Sequence, residues 1–335
     1  MGRLLLSCLP ISKYCFMEEL YSLFASELTR KLPSLNPVGV APRTRGLSGS
    51  QPSQNKLQLN RFPIIIDLDY YRNSHSSDNP AGDYHAAYRF YELSDEASRL
   101  TTFFEGVHSV SSVWGGIINS AVSDNGYVCN LLTQAKDSFR LSRIYGMGGV
   151  PEDWYQVNAQ PSNWYDLVLD SDNLTRIEID PHNLEVTLRW DMDDNREQSL
   201  GSGSSIKRIC MDVLNVEFVR PWLRRELFEA GWGIPGIDRG YFSTGNMNCN
   251  DGILPLIPQS MLVGTNLSIE GDFSENDLAV LADRSIGKLS IGPFAVSTCD
   301  TPVEVNGEQM QLKISSKTTQ VVGYISYGVP LCPQI

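Results

Sequence analysis

A chain of 335 residues with 41% hydrophobic and 20% charged side chains carries enough apolar surface for a sizeable core, which excludes a disordered or fibrous chain. The formal net charge of −12 is uneven: residues 1–61 hold eight Lys/Arg and three Asp/Glu, a net of +5, and the remainder stands at −17. Binding to a phosphate backbone needs clustered positive charge, so an acidic body excludes nucleic acid as an expected partner.

No apolar run approaches the roughly 20 residues that span a bilayer. The opening MGRLLLSCLPISKYCF is short for a secretory signal and is broken by Pro10. As a myristoylation signal it places Leu6 where Ser or Thr is required. Translation beginning at Met17 in place of Met1 is the favoured reading, because MEELYSLFASELTRKL opens an amphipathic helix. The cysteines at 8, 15, 129, 210, 249, 299 and 332 form no C-x-x-C pair, the usage of reduced thiols. This points to a cytoplasmic protein, with secretion as the alternative suggested by the sequons at Asn173 and Asn266.

Residues 17–31 place Leu20, Leu23, Phe24 and Leu28 on one helical face, with Glu18 and Glu19 at its start and Arg30 and Lys31 at its end. Residues 33–60, rich in Ser, Pro, Gly, Asn and Gln, read as a flexible linker, so residues 1–61 are a basic N-terminal helix and tail. FPIIIDLDYY at 62–71 is a buried strand or extended segment. Helices are predicted from Asp83 through Leu93, over Val110–Ala121 and over Val128–Ile144, making residues 62–160 mainly helical.

The pattern then becomes β over residues 161–335. Short strands are expected at Trp164–Leu169, Thr175–Ile179 and Leu184–Trp190. The run Ile206–Val219 changes phase from Ile209, Met211 and Val213 to Leu214, Val216 and Phe218, which demands a bulge or burial on both faces. In the next long strand, Met261, Val263, Leu267 and Ile269 fall on one face by simple alternation. Further strands follow at Leu289–Ser297, Val303–Val305, Met310–Ile314 and Gln320–Tyr327, the middle two forming a hairpin around Asn306-Gly307. Ser274 and Asp277 cap a short helix between the long strand and Leu289. The expected fold is α+β: a helical N-terminal half packed on a C-terminal antiparallel β-sandwich, the two regions continuous with each other.

Catalytic signals are sparse. Asp67-Leu68-Asp69 at a strand end is the D-x-D arrangement that holds Mg2+ or Mn2+ in phosphoryl- and glycosyl-transfer enzymes. Asp191, Asp193 and Asp194 form an acidic turn, but Arg196 and Ser202 occupy the positions where an EF-hand needs Gly and Glu. The histidines at 75, 85, 108 and 182 lack ligand spacing, and no G-x-S-x-G elbow occurs. No cofactor is implied. The strongest contact signal is an Arg/Trp-rich excursion, with Arg220, Trp222, Arg224, Arg225, Phe228 and Trp232 as its binding candidates. Such a composition suits an interface or a membrane headgroup layer; buried, the same side chains make a lid on the sandwich.

The segments Val219-Arg220-Pro221-Trp222-Leu223, Leu256-Ile257-Pro258, Gly292-Pro293-Phe294-Ala295 and Gln320 to Ser326 with Val329-Pro330 resemble, in order and spacing, a group of uncharacterised microbial proteins. The resemblance covers residues 206–332 and implies a single conjoined architecture; it transfers no catalytic residue. The expected function is non-enzymatic binding or assembly, through a protein partner, self-association or a membrane surface. The alternative is a metal-dependent transferase using Asp67 and Asp69.

Overall fold

The computed structural model describes residues 12–31, 55–71, 84–142, 150–151, 174–181, 187–190, 196–199, 204–220, 222–282, 289–296, 303–306 and 309–335. Its elements in the first half are α1 (Ser12–Lys31), β1 (Asn55–Ile65), α2 (Tyr84–Ser94), β2 (Glu96–Ser98), β3 (Gly106–Ser109), α3 (Val110–Ser120), α4 (Gly126–Ser142) and β4 (Val150–Pro151). The second half holds β5 (Thr175–Ile179), β6 (Thr187–Trp190), β7 (Arg196–Ser199), β8 (Ser205–Val219), β9 (Leu256–Asp272), α5 (Glu275–Ala282), β10 (Leu289–Ile291), β11 (Phe294–Val296), β12 (Val303–Asn306), β13 (Gln309–Ser316) and β14 (Gln320–Gly328). The predicted strand at Trp164–Leu169 lies outside the described residues.

A large antiparallel sheet is built on β9. One edge of β9 pairs with β8 from Ser205↔Asp272 to Glu217↔Ser260. Along the other edge β13 and β14 lie end to end, from Gln311↔Asp272 to Ser316↔Leu267 and from Gln320↔Gly264 to Gly328↔Leu256. Outer strands complete it: β5 and β4 on β8, β12 on β13, and β1 on β14. A second sheet runs β11-β10-β6-β7.

This corrects the expected architecture, since there is no helical N-terminal half. Strands β1, β2 and β3 belong to the large sheet, and the helices are scattered around it. The decisive segment is β1, which sequence composition assigns largely to a linker. Its pairing partner β14 lies at the other end of the chain, and the Asn60 amide donates to the Val321 carbonyl across 261 residues. Polar residues disguise the strand because they are buried within it. Gln58 is fully buried, its amide donating to the carbonyls of Arg99, Thr101 and Phe103 at 2.9, 2.9 and 3.3 Å.

The long strands serve two cores. Ile206, Ile209, Met211 and Val213 of β8 enter one cluster, and Leu214, Val216 and Phe218 enter another, so the phase change reflects burial on both faces. In β9 the expected single face fails. Met261 and Val263 join the second cluster, whereas Leu267 and Ile269 join the first. Asn266, at φ 51°, is the left-handed residue between them and reverses the alternation. Asp212 supports the crease, accepting from Arg176 Nη1 and from Asn266 Nδ2, both at 3.0 Å. The predicted Leu289–Ser297 strand is likewise divided, by Gly292 at φ 57°, into the hairpin β10–β11.

The first core is covered by α1, whose Leu20, Phe24 and Leu28 are buried, with Phe24 set against Phe294 at 6.1 Å between ring centres. The N-terminal helix is therefore packed onto the sheet. Gln320 ties the second sheet to this core: its carbonyl accepts the Ala295 N–H at 2.8 Å and its amide donates to the Ala295 carbonyl at 3.4 Å. A third cluster joins α3 and α4 to the segment that follows β8.

Candidate functional site

β8 ends at Val219, and from there to Leu256 the chain makes little regular structure. Burial of its aromatic side chains holds this excursion in place. Trp222 is fully buried and meets Phe139 of α4 edge-on at 5.6 Å. Phe228 packs between Trp114, edge-on at 5.4 Å, and Tyr327 at 6.5 Å. Trp232 is 1% exposed, and its indole N–H donates to the Leu227 carbonyl at 2.5 Å. Of the two roles left open by composition, these three side chains take the inward one.

Arg220 is also buried. Its Nη1 donates to the Pro258 carbonyl and its Nη2 to the Ser94 carbonyl, each at 2.6 Å, so one guanidinium joins β8, β9 and the end of α2. Burial pulls its pKa down to about 10, opposed by the nearby Asp95, so it is charged at neutral pH. The Asp95 carboxylate accepts from Ser109 Oγ at 2.5 Å, Ser111 Oγ at 2.8 Å and the Ser111 N–H at 3.0 Å. Burial still raises its pKa, with those three bonds and Arg220 acting in the other direction. Ser109 is at once the N-cap of α3, accepting the Ser112 N–H at 3.1 Å. Sequence reasoning missed this cluster because its members come from segments with no shared spacing.

The remaining candidates separate by exposure. Arg224 is half-buried, and Arg225 is exposed, lying 5.1 Å over the Tyr327 ring and donating to Gln259 Oε1 at 3.3 Å. Burial, with Glu229 nearby, pushes the Tyr327 phenol up to about 12. Beside the excursion lies an exposed apolar rim. Val122 pairs with Gly233 through reciprocal backbone bonds of 2.9 and 3.1 Å, and a side chain at Gly233 would run into the Ile335 carbonyl. Val122 is 55% and Ile335 68% exposed. Tyr127 and Tyr241 are exposed too, the first in the opening turn of α4 and the second beside Phe242.

The loop after Phe242 is closed by its own polar groups. Asn250 accepts from the Thr244 N–H and donates to Ser243 Oγ at 2.8 Å, and Ser243 Oγ donates to the Val329 carbonyl at 2.5 Å. Backbone bonds between Ser243 and Cys332 lock this loop to the chain's last described residues.

Asp67 lies on the surface past the end of β1, and its carbonyl accepts the Tyr70 N–H at 3.0 Å. The side chain of Asp69, and Asp191, Asp193 and Asp194 entirely, fall outside the described residues. Among the described residues no three His, Cys, Asp or Glu side chains gather as a metal-binding group. Nor is any described helix long and apolar enough to cross a membrane. No family model, curated protein or solved structure matches the chain, so its own geometry carries the functional reading.

Proposed function

We propose that this chain is a non-enzymatic binding or assembly protein whose contact surface is the rim of the Arg/Trp-rich excursion, and that its first partner is a second copy of itself. The supporting observation is the placement of Val122 and Ile335, two large apolar side chains left in solvent against Gly233 while their neighbours Trp222, Phe228 and Trp232 are buried. Exposed apolar groups set on a rigid, well-packed base are the usual core of a contact surface. Arg225 and Arg239 add exposed charge to the same segment. The buried aromatics act as its foundation.

Sedimentation equilibrium across a concentration series tests self-association. Flotation with vesicles containing phosphatidylserine tests the membrane alternative. The expected result is reversible dimerisation, weakened about tenfold in Val122→Asp with Tyr241→Ser, substitutions at exposed positions that leave the fold intact. A chain that stays monomeric and floats would move the surface to lipid. One that stays monomeric and does not float overturns the proposal.

A further inference from the structure

We propose that the chain's contact with a second copy closes through α4, which packs antiparallel on the partner's α4 with the two-fold axis at Gln134. This rests on self-association through the rim and adds the geometry of the contact.

α4 carries the rim's Tyr127 in its opening turn, and its two sides differ. Val128, Leu131, Leu132, Ala135 and Phe139 are buried, with Phe139 edge-on to Trp222, so the helix is fixed to the third core along its length. On the outward side run Tyr127, Asn130, Gln134, Ser138 and Leu141, spaced by three and four residues and therefore aligned along one flank. None of these is charged; Lys136, Asp137 and Arg140, the charged residues of α4, lie off the line. The stripe ends in two large apolar side chains left in solvent, Tyr127 at 66% and Leu141 at 55% exposed, with exposed Asn130 and Gln134 between them. Solvent gains nothing from Tyr127 and Leu141 on a helix flank, whereas a second helix laid along the stripe buries both.

The stripe is complementary to itself. Tyr127 and Leu141 stand about four turns, or about 21 Å, apart with Gln134 midway. A half-turn about Gln134 lays each Tyr127 on the partner's Leu141 and brings the two Gln134 amides, each both donor and acceptor, face to face. No charged group of α4 then meets its own copy. Asp137 is already 4.0 Å from Arg140, and the rotation carries it to the level of the partner's Leu131. Antiparallel packing also sets the positive end of one helix beside the negative end of the other, where a parallel pair would align like ends. One helix flank covers less than the roughly 800 Å² per partner of a stable interface, in keeping with association that is reversible.

The test has two arms on the full chain. In the first, Gln134→Cys is combined with Cys129→Ser, oxidised mildly with diamide and digested with trypsin. The fragment of residues 100–136 then holds a single thiol. A disulfide between two copies of that fragment is expected at least about tenfold more abundantly than with Thr133→Cys, an exposed position off the line, in the same background. In the second arm, Tyr127→Glu and Leu141→Lys each weaken the dimer about tenfold in sedimentation equilibrium, and together they restore it to within about threefold of wild type, because opposite charges then meet across the axis. Within one chain the two positions are too far apart to pair. A wild-type chain that stays monomeric overturns self-association and this geometry with it. A wild-type dimer in which Gln134→Cys cross-links no better than Thr133→Cys, or in which the double variant is no tighter than the single ones, overturns the α4 pairing and leaves self-association standing.

Discussion

Arg220 and Asp95 are neighbouring buried groups that each gather partners from different segments. The guanidinium closes two backbone carbonyls from different segments, and the carboxylate collects three donors at the start of α3. Replacing Arg220 with Met leaves the Pro258 and Ser94 carbonyls buried without their donor. With about 1–3 kcal/mol for each buried acceptor left unsatisfied, the expected loss is about 2–6 kcal/mol of unfolding free energy, read from urea titration. Asp95 also imposes a pH dependence. Its folded pKa is raised above the ordinary 3.8, so the folded state holds the proton more tightly than the unfolded chain does. That contribution is fully present below 3.8 and is lost as pH rises through the folded value. Wild type should therefore gain on Asp95→Asn as pH is lowered towards 4; a constant difference across the range would refute the assignment.

Among the elements, β8 and β9 owe their two-sided burial to a crease, and Asn266 is its critical residue. Replacing it with Gly keeps the left-handed backbone and loses only the bond to Asp212, so a change of within about 1 kcal/mol is expected. Asn266→Val forces a β-branched residue to φ 51° and should cost roughly 2–4 kcal/mol in thermal or urea unfolding. Equal effects of the two substitutions would show that the side-chain bond, and not the backbone, controls the crease. The strand β8 was legible because its phase change is written in its own apolar residues. The flip in β9 was not, since nothing in Thr265-Asn266-Leu267 distinguishes a bulged strand from a regular one until β8 and β13 are paired to it.

In the molecule as a whole, the chain's last strand is the closing piece. β14 pairs with β9 on one side and β1 on the other, and the residues after it enter the third core. Val329 and Cys332 are buried there, and the Cys332 carbonyl accepts the N–H groups of Phe242 and Ser243 at 2.9 and 3.1 Å. Removing residues 329–335 should unfasten the excursion and cost more than roughly 4 kcal/mol, with amide exchange in residues 222–254 rising before that of β8 and β9. Uniform protection in that segment after the deletion would contradict its dependence on the terminal residues.

By itself the sequence determined the local elements: α1, α3, α4, the long strands, the Ser274–Asp277 cap and the hairpin at Asn306, each carried by periodicity or turn chemistry within a few residues. It also identified the Arg/Trp-rich excursion as distinctive. Tertiary structure alone decided that β1 is a strand, that α1 is docked, that Trp222 and Trp232 face inward, and that Arg220 closes the carbonyls of Ser94 and Pro258. The physical reason is range: each of these depends on a partner far along the chain, and a burial or pairing energy contributed from there leaves no period in the local residues.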